Sequence, residues 1–389
     1  MQPVNKKQNI TTLQQLEPLA RLTQSRLKEL ASLCVIESIS QNLDPMRMNT
    51  QAAQSVYLVR GELGVRYTDG SKAILRAGTN ASHHPVNAGR LQIQDTIALT
   101  PIEVVRIDTD LLDIMMTWDQ LSSDQLSSNE SYDMQHSTKE KSASKQVTRN
   151  QAARTASDWM SDTSVFSAVK LKNGVFSQLP PANIEQMFQR MTHIFVTAGQ
   201  VIIKQGAEGD YFYLIERGTA IVTREKHADA EILAELQAGS AFGEDALVSD
   251  NKRNASVIMK TDGELLRLNK TDFIELLKAP IINHVNMAEA KEKVSQGAIW
   301  LDVRFASEYQ FDHIKGAINA PLNELRSIAP TLNPTFNKAV IDTSAISQAT
   351  QQEYIAYCQT GRRSAAAAFI LAQYGVKAMV LDGGMRGER

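Results

Sequence analysis

"VYLVRGELGVRY" (Val56–Tyr67) and "YLIERGTAIVTR" (Tyr213–Arg224) are two copies of one pattern: an apolar alternation, an Arg-Gly corner, and a second alternation. Gly61 aligns with Gly218, 157 positions on, and the "LRAG" ending at Gly78 aligns with the "LQAG" ending at Gly239, 161 positions on. The second copy is therefore four residues longer in between, with "EKHADAE" where the first has "TDG". Both polar stretches read as hairpin turns between strands of period two. Beyond that point the copies stay in step, "IEVVRID" (Ile102–Asp108) against "GELLRLN" (Gly263–Asn269). Each opens on an amphipathic segment, "LARLTQSRLKELASL" or "FSQLPPANIEQMFQRM", and closes on a helical one, "TDLLDIMMTW" or "TDFIELLKAP". The repeat predicts helix, many short strands, helix, twice over.

Outside the repeat the character changes. Between the copies runs "SSDQLSSNESYDMQHSTKEKSASKQVTRNQAARTASDW", rich in Ser, Gln, Asn and Lys, which reads as a largely flexible linker with room for a polar helix. From Asn283 onward, "AEAKEKVSQG" reads as a helix, and "AIWLDVR", "QEYIAYC" and "KAMVLDGG" as short apolar strands. A helix, "SAAAAFILAQYG", follows the second strand, so this part predicts a parallel sheet with helices on both faces. The expected domains are residues 1–120, a polar linker at 121–163, then 164–280 and 281–389.

Composition sets the outer bounds. The chain has 389 residues, 43% hydrophobic and 22% charged, with a net charge of −2, an ordinary globular balance with no bulk attraction to nucleic acid or anionic lipid. The N-terminal "MQPVNKKQNITTLQQ" has no apolar core of a signal peptide, and no window is apolar enough to span a bilayer. Two cysteines, Cys34 and Cys358, are too few for a disulfide framework or a thiolate metal cluster, so a reducing cytoplasm is the expected setting. No metal is expected. Cys34, in "ELASLCVIESI", reads as core.

In the second copy, "FGEDALVSDNKRNASV" (Phe242–Val257) offers an anion a turn opened by Gly243, backbone N–H groups around Ala246, and the fixed charged fork of Arg253. On the residues alone the stretch reads equally as a surface loop with an Arg–Glu pair. It resembles, however, the phosphate-binding cassette of cyclic-nucleotide-binding domains, F-G-E-x-A-L followed by R-x-A-[ST]-V. The glycines of "AGQVIIKQGAEGDYFYLIERG" (Gly199, Gly206, Gly209, Gly218) match that family as well, and the likeness covers about Ser164–Pro280. It implies that each copy is a β-barrel of the double-stranded β-helix or jelly-roll type with flanking helices. It also implies a cAMP or cGMP ligand at Phe242, Gly243, Glu244, Ala246, Arg253, Asn254 and Ala255. Arg253 would meet the cyclic phosphate, the N–H groups of Gly243, Ala246 and Asn254 would cradle it, and Glu244 would hold the ribose 2′-hydroxyl. Asp245 departs from the family's apolar residue and adds negative charge beside the pocket. Asn254 is neither the alanine common in cAMP sites nor the Thr or Ser common in cGMP sites, so the base preference stays open.

The first copy lacks these groups. At the offset of 161, Phe242, Gly243, Glu244 and Arg253 fall on Ala81, Ser82, His83 and Gln92. A neutral amide cannot offset a phosphate, so the first copy is expected to keep the barrel without the ligand. His83 and His84 do not read as a metal pair, because adjacent strand residues point to opposite faces.

"YCQTGRRSAAAAFI" (Tyr357–Ile370) puts Cys358 at a strand end, before a turn at Gly361 and a helix beginning near Ser364. Cationic neighbours and a helix N-terminus lower a thiol pKa and hold an oxyanion or persulfide. An inert buried cysteine is the alternative, against which the two adjoining guanidiniums argue. Residues 283–389 resemble single-domain rhodanese (sulfurtransferase) modules in "LDVRFASEYQFDHIKGAINAPL" (Leu301–Leu322), the loop C-x-x-G-x-R-S (Cys358–Ser364) and "VLDGGM" (Val380–Met385). The likeness implies that Cys358 takes sulfane sulfur as a persulfide and passes it on, ringed by Gln359, Thr360, Gly361, Arg362 and Arg363. Asp302, His313 and Gly316 would be structural. Arg363 follows the cysteine by five positions, a loop shorter than related phosphatases need. The sequence ends "GGMRGER", without the Trp and helix that follow the glycine pair in the family, so a less complete rim is expected.

The leading expectation is a multidomain chain with two barrels of this kind and then an α/β rhodanese domain with a parallel sheet. It would sense a cyclic nucleotide and transfer sulfur, with the helix near Thr271–Pro280 and the short "APIINH" junction coupling the two. The alternative is a nucleotide-responsive binding or signalling protein whose rhodanese module docks partners or carries persulfide without turnover. A transcription factor is disfavoured, since a rhodanese module stands where a winged helix-turn-helix would, and no basic stripe is present. Sulfur donor and acceptor, and a homodimer, are left open. No nucleic-acid or membrane partner is expected.

Overall fold

A computed structural model of the chain describes residues 6–47, 53–89, 91–133, 156–163, 166–173, 180, 183–226, 229–248, 252–277, 282–333 and 352–386. The chain divides into two compact units, Met1–His136 with Ile282–Arg389, and Ser137–Ile281.

In the second unit, alternation builds two four-stranded antiparallel sheets. One runs in the order Asp229–Leu236, Ala220–Lys226, Ser256–Met259, Val201–Ile203, and the other Ala241–Phe242, Tyr211–Arg217, Gly263–Asn269, Thr192–Val196. Their inner faces share a core of Ile203, Tyr213, Ile215, Phe242, Val257, Met259 and Leu265. The expected hairpins form: Lys226 pairs with Asp229 across one turn, and in the first copy Arg66 pairs with Lys72 across the other. The aligned glycines mark the corner where the chain leaves one sheet for the other. Gly61 has φ of 84°, and a Cβ there would come within 2.6 Å of the Pro101 carbonyl oxygen.

The first copy holds two three-stranded antiparallel sheets. Ile102–Asp108 is central to one, between Ile36–Ile39 and Gln54–Arg60, and Glu62–Tyr67 is central to the other, between Lys72–Arg76 and Ile93–Ala98. The closing helix, Thr109–Asp133, continues past position 120, where the polar linker was expected to begin; residues 134–155 of that stretch lie outside the described residues. From Leu112 to Ser122 the helix is buried on every side. Its apolar residues Met115, Met116, Trp118 and Leu121 each contribute about 1.5–3 kcal/mol by leaving water. Several of its buried polar groups are paired: Asp119 accepts from the Thr23 N–H and hydroxyl, and Gln120 donates through Nε2 to Asn323, while its Oε1 has no partner among the described residues.

Asn323 belongs to the C-terminal module of the same unit. Here a five-stranded parallel sheet runs in the order His284–Val285, Lys377–Leu381, Glu353–Tyr357, Ile299–Asp302, Ile318–Asn319. The three longer strands are those the apolar runs predict; the two-residue strands at the edges carry too few positions to show a period. Helix Met287–Ser295 starts from a capping box between Asn286 and Glu289. Helix Arg362–Gln373 lays buried Ala366, Ala367 and Ile370 into the core, its small residues permitting close approach to the sheet.

Candidate functional site

The loop after strand Ala241–Phe242 is shaped by Gly243, whose φ of 93° is left-handed. A Cβ at Gly243 would sit 3.0 Å from both the Tyr211 carbonyl oxygen and an Arg253 Nη1. Phe242 is buried and stacks on Tyr213 with ring centroids 5.1 Å apart. Glu244 and Ala246 lie in the short helix Glu244–Val248, and Gly209 lets that helix approach, since a Cβ at 209 would reach 2.9 Å from the Ala246 carbonyl oxygen. Burial raises the Glu244 pKa, with Asp245 adding to it and Arg253 opposing.

Arg253 is only 5% exposed. Its guanidinium donates to the Gly243 carbonyl at 2.7 Å, the Tyr211 carbonyl at 2.8 Å and Asp210 Oδ1 at 2.9 Å. Asn254 is exposed, with its Nδ2 3.5 Å from Asp245 Oδ2, and Ala255 is buried. Arg253 and Gly243 are thus in direct contact and Asn254 reaches Asp245, while Asp210 is a partner that sequence reading did not single out. Its signal was its place in "AEGDYFY", between a matched glycine and the strand that carries Tyr211. In the first copy Gln92 is exposed on the surface, and Ser82 and His83 lie in a short 3-10 turn, Asn80–His83.

The second candidate centre is the loop from Cys358 to Ser364. Strand Glu353–Tyr357 ends just before it, and Gly361, with φ of 108°, caps helix Arg362–Gln373. The sulfur accepts from the Gly361 N–H at 3.1 Å, and the Ser364 hydroxyl lies 3.7 Å away. The floor is closed by the glycine pair of "VLDGGM": Met385 N–H donates to the Cys358 carbonyl, and a Cβ at Gly384 would overlap that carbonyl oxygen. Asp302 grips Arg304, the His313 ring contacts the Tyr309 carbonyl, and Gly316 takes a φ of 84° in the turn between them and the next strand.

The expected cationic activation of the thiol is corrected by the geometry. Cys358 is fully buried, and burial, the largest influence, pushes its pKa up; Asp113 adds to that, and Arg363 and the neighbouring amides do not reverse it. Arg362 is half-buried, and Arg363 is fully buried. Arg363 is tolerated there because it is neutralised twice, by Glu308 at 2.7 and 3.0 Å and by Asp113 at 3.1 Å. Burial works to raise the Glu308 pKa, yet the Arg363 guanidinium holds it below the ordinary carboxylate value. Asp113 also accepts from the Thr360 hydroxyl, so a residue of the long helix grips the loop at two points. Gln359 lines a cavity beside this grip. Glu308 and Asp113 stand 55 and 250 positions from Arg363, and no local pattern announces them.

An antiparallel double sheet with an arginine seated in a glycine turn is followed along the chain by a parallel α/β module with a cysteine loop at a helix start. Residues 193–279 match the cyclic nucleotide-binding domain family, and residues 286–387 match the rhodanese-like domain family. Each of these two stretches thus carries a domain match of its own. It is 35% identical over 125 residues to the cAMP-dependent protein kinase regulatory subunit of Dictyostelium discoideum, covering 32% of this chain and 38% of that protein. It is 35% identical over 111 residues to the same subunit of Yarrowia lipolytica, covering 28% and 29%. The chain thus spans about a third of the length of the curated relatives it matches. The regulatory domain of Toxoplasma gondii PKA, solved with cAMP, aligns over 76% of this chain and 98% of that one at 16% identity, with a TM-score of 0.28, too low to carry an argument. Among the described residues no helix is long and apolar enough to cross a membrane, and no cluster of three or more His, Cys, Asp or Glu is placed to hold a metal ion.

Proposed function

We propose that the chain senses a cyclic nucleotide through its second copy and carries sulfane sulfur on Cys358. The observation that carries the sensing is the seat of Arg253. Its guanidinium is buried in the Gly243 turn, and two of its three partners are neutral carbonyls. The third, Asp210, has a side chain 63% exposed, so an incoming phosphate can replace it at little cost. cAMP and cGMP are both candidates, with Glu244 at the ribose and the N–H groups of Gly243, Ala246 and Asn254 around the phosphate.

In the sulfur step the Cys358 thiolate attacks the outer sulfur of a donor such as thiosulfate, forming the cysteine persulfide and releasing sulfite. An acceptor such as cyanide then takes that sulfur, leaving as thiocyanate and restoring the thiolate. The Gly361 N–H on the sulfur supports this reading. Gln359, Thr360, Arg362 and Arg363 complete the loop. The first copy is proposed as a nucleotide-domain-like fold without its ligand, and nucleotide binding as the regulator of transfer. Residues 278–281 of the junction invoked for that coupling lie outside the described residues.

A second reading has its own support. The buried thiol with its raised pKa favours a module that docks or stores persulfide without turnover. The test is thiosulfate:cyanide sulfur transfer on the full chain, with and without cAMP or cGMP, beside Cys358→Ser and Arg253→Ala. Turnover that needs Cys358, and a nucleotide effect that needs Arg253, is the expected result. Binding without any change in rate removes the regulatory claim, and absence of turnover with a chemically loadable Cys358 favours the carrier.

A further inference from the structure

Within the unit formed by residues 1–136 and 282–389, a cavity of about 190 Å³ lies between the first copy and the cysteine-loop module. One wall is Tyr57 with the loop around His84, another is Leu112 and Met116 of the long helix, and the third is Phe311 with Gln359. Three features constrain what fits it. First, Tyr57 is fully buried, yet its hydroxyl has no hydrogen-bond partner among the described residues, a cost of about 1–3 kcal/mol that a ligand acceptor would relieve. Second, the arginines in the wall already have partners. Arg363 pairs with Glu308 and Asp113, Arg304 pairs with Asp302 and donates to the Asp312 carbonyl, and Arg386 faces Asp110 at 3.5 Å. Among the described residues a charged ligand would have to displace one of these pairs, which favours an uncharged one. Third, His84 and Phe311 stack at 3.9 Å with planes 13° apart, while Phe311 keeps 41% of its surface exposed, so a flat aromatic platform borders the space. Burial lowers the His84 pKa, which keeps that platform uncharged at neutral pH.

We propose that this cavity is a binding site for a small uncharged heteroaromatic molecule that accepts a hydrogen bond from the Tyr57 hydroxyl. A cavity of about 150 Å³ holds benzene, so this one takes about one or two rings. Burial, with Glu308 adding to it, holds the Tyr57 pKa well above its ordinary value, so the hydroxyl remains a donor throughout the working pH range. The site is separate from the Arg253 loop, and it occupies the side of the first copy where the residues corresponding to the nucleotide loop, His84 among them, have turned to another use.

The probes are quinoline, which carries a ring acceptor, naphthalene, which has the same outline without one, and 2-naphthoate, which adds a charge. Binding to the full chain is read by saturation-transfer NMR and titration. Quinoline is expected at a Kd of about 1 mM or tighter, as ten non-hydrogen atoms allow. Tyr57→Phe should weaken quinoline about three- to tenfold, the worth of one hydrogen bond, and leave naphthalene unchanged. Ala88→Trp, on the half-buried loop at the cavity wall, should abolish both without touching the core. Failure of quinoline to bind, binding indifferent to both variants, or a preference for 2-naphthoate overturns the proposal.

Discussion

Two buried guanidiniums show how partners decide what an arginine does. Arg253 faces two carbonyls and an exposed carboxylate, whereas Arg363 is locked between the buried carboxylates of Glu308 and Asp113. On the proposed reading, Arg253→Ala removes the charge that meets the phosphate and weakens cyclic-nucleotide binding by about ten- to a hundredfold, the worth of a charge-assisted pair. Calorimetry with cAMP and cGMP checks this; because Arg253 is buried and donates to two carbonyls, the melting temperature should fall as well, and a variant that still unfolds cooperatively above the titration temperature separates loss of the ligand from loss of the fold. At Arg363 the informative change is in its partner. The Asp113 carboxylate is one of the groups that raise the Cys358 pKa, so Asp113→Asn should shift the pH profile of thiol alkylation to lower pH. At about pH 7.5 the reaction should run about three- to tenfold faster, as a shift of up to one unit allows. An unshifted profile would mean that burial alone controls the sulfur. Of the partners of Arg253, Gly243 lies ten positions away, within the motif quoted from the sequence, while Asp210 and Tyr211 lie more than forty positions away and were not singled out. The pairing of Arg363 left no local trace, because both of its partners come from distant segments.

At the scale of elements, glycine and helix length carry the lessons. Gly384 takes φ of 55° directly beneath the Cys358 carbonyl, so Gly384→Ala adds a clash to an already left-handed residue. The expected outcome is a loss of about 2–4 kcal/mol, from strain and overpacking together, with faster alkylation of the exposed thiol; urea unfolding and thiol titration measure both. Unchanged stability would show that the loop floor moves freely. The glycine pair itself was visible in "VLDGGM". The long helix was only half visible. Its start was plain in "TDLLDIMMTW", but Gln120 and Ser122 gave its later turns the polarity of a linker. In the folded chain those two are buried, with Gln120 bonded to Asn323 and Ser122 to the Asp119 carbonyl. A polar residue signals solvent only when no partner waits for it, and partners from another part of the chain leave no trace in the local period.

At the scale of the whole molecule, sequence order gave three modules in succession, while the first and the last form one compact unit. The grip of Asp113 on Thr360 and Arg363 is part of what joins them, and contacts across some 250 positions have no sequence signature. A chain that buries so many weak acids without their charge should lose stability in alkali. Cys34, in the same unit, is 8% exposed, and burial pushes its pKa from 9.0 to about 12; Cys358 is shifted in the same direction. In the unfolded chain both thiols ionise near their ordinary value, so above about pH 9 the native state holds more protons than the unfolded one. Stability then falls as pH rises, by up to about 1.4 kcal/mol per pH unit for each such group. Urea unfolding of the full chain between about pH 8 and about pH 11 should give a declining free energy, with a shallower slope in Cys34→Ala even though that variant starts lower through lost packing. Parallel slopes for the two proteins would show that Cys34 ionises as readily folded as unfolded, and would place water where burial puts hydrocarbon.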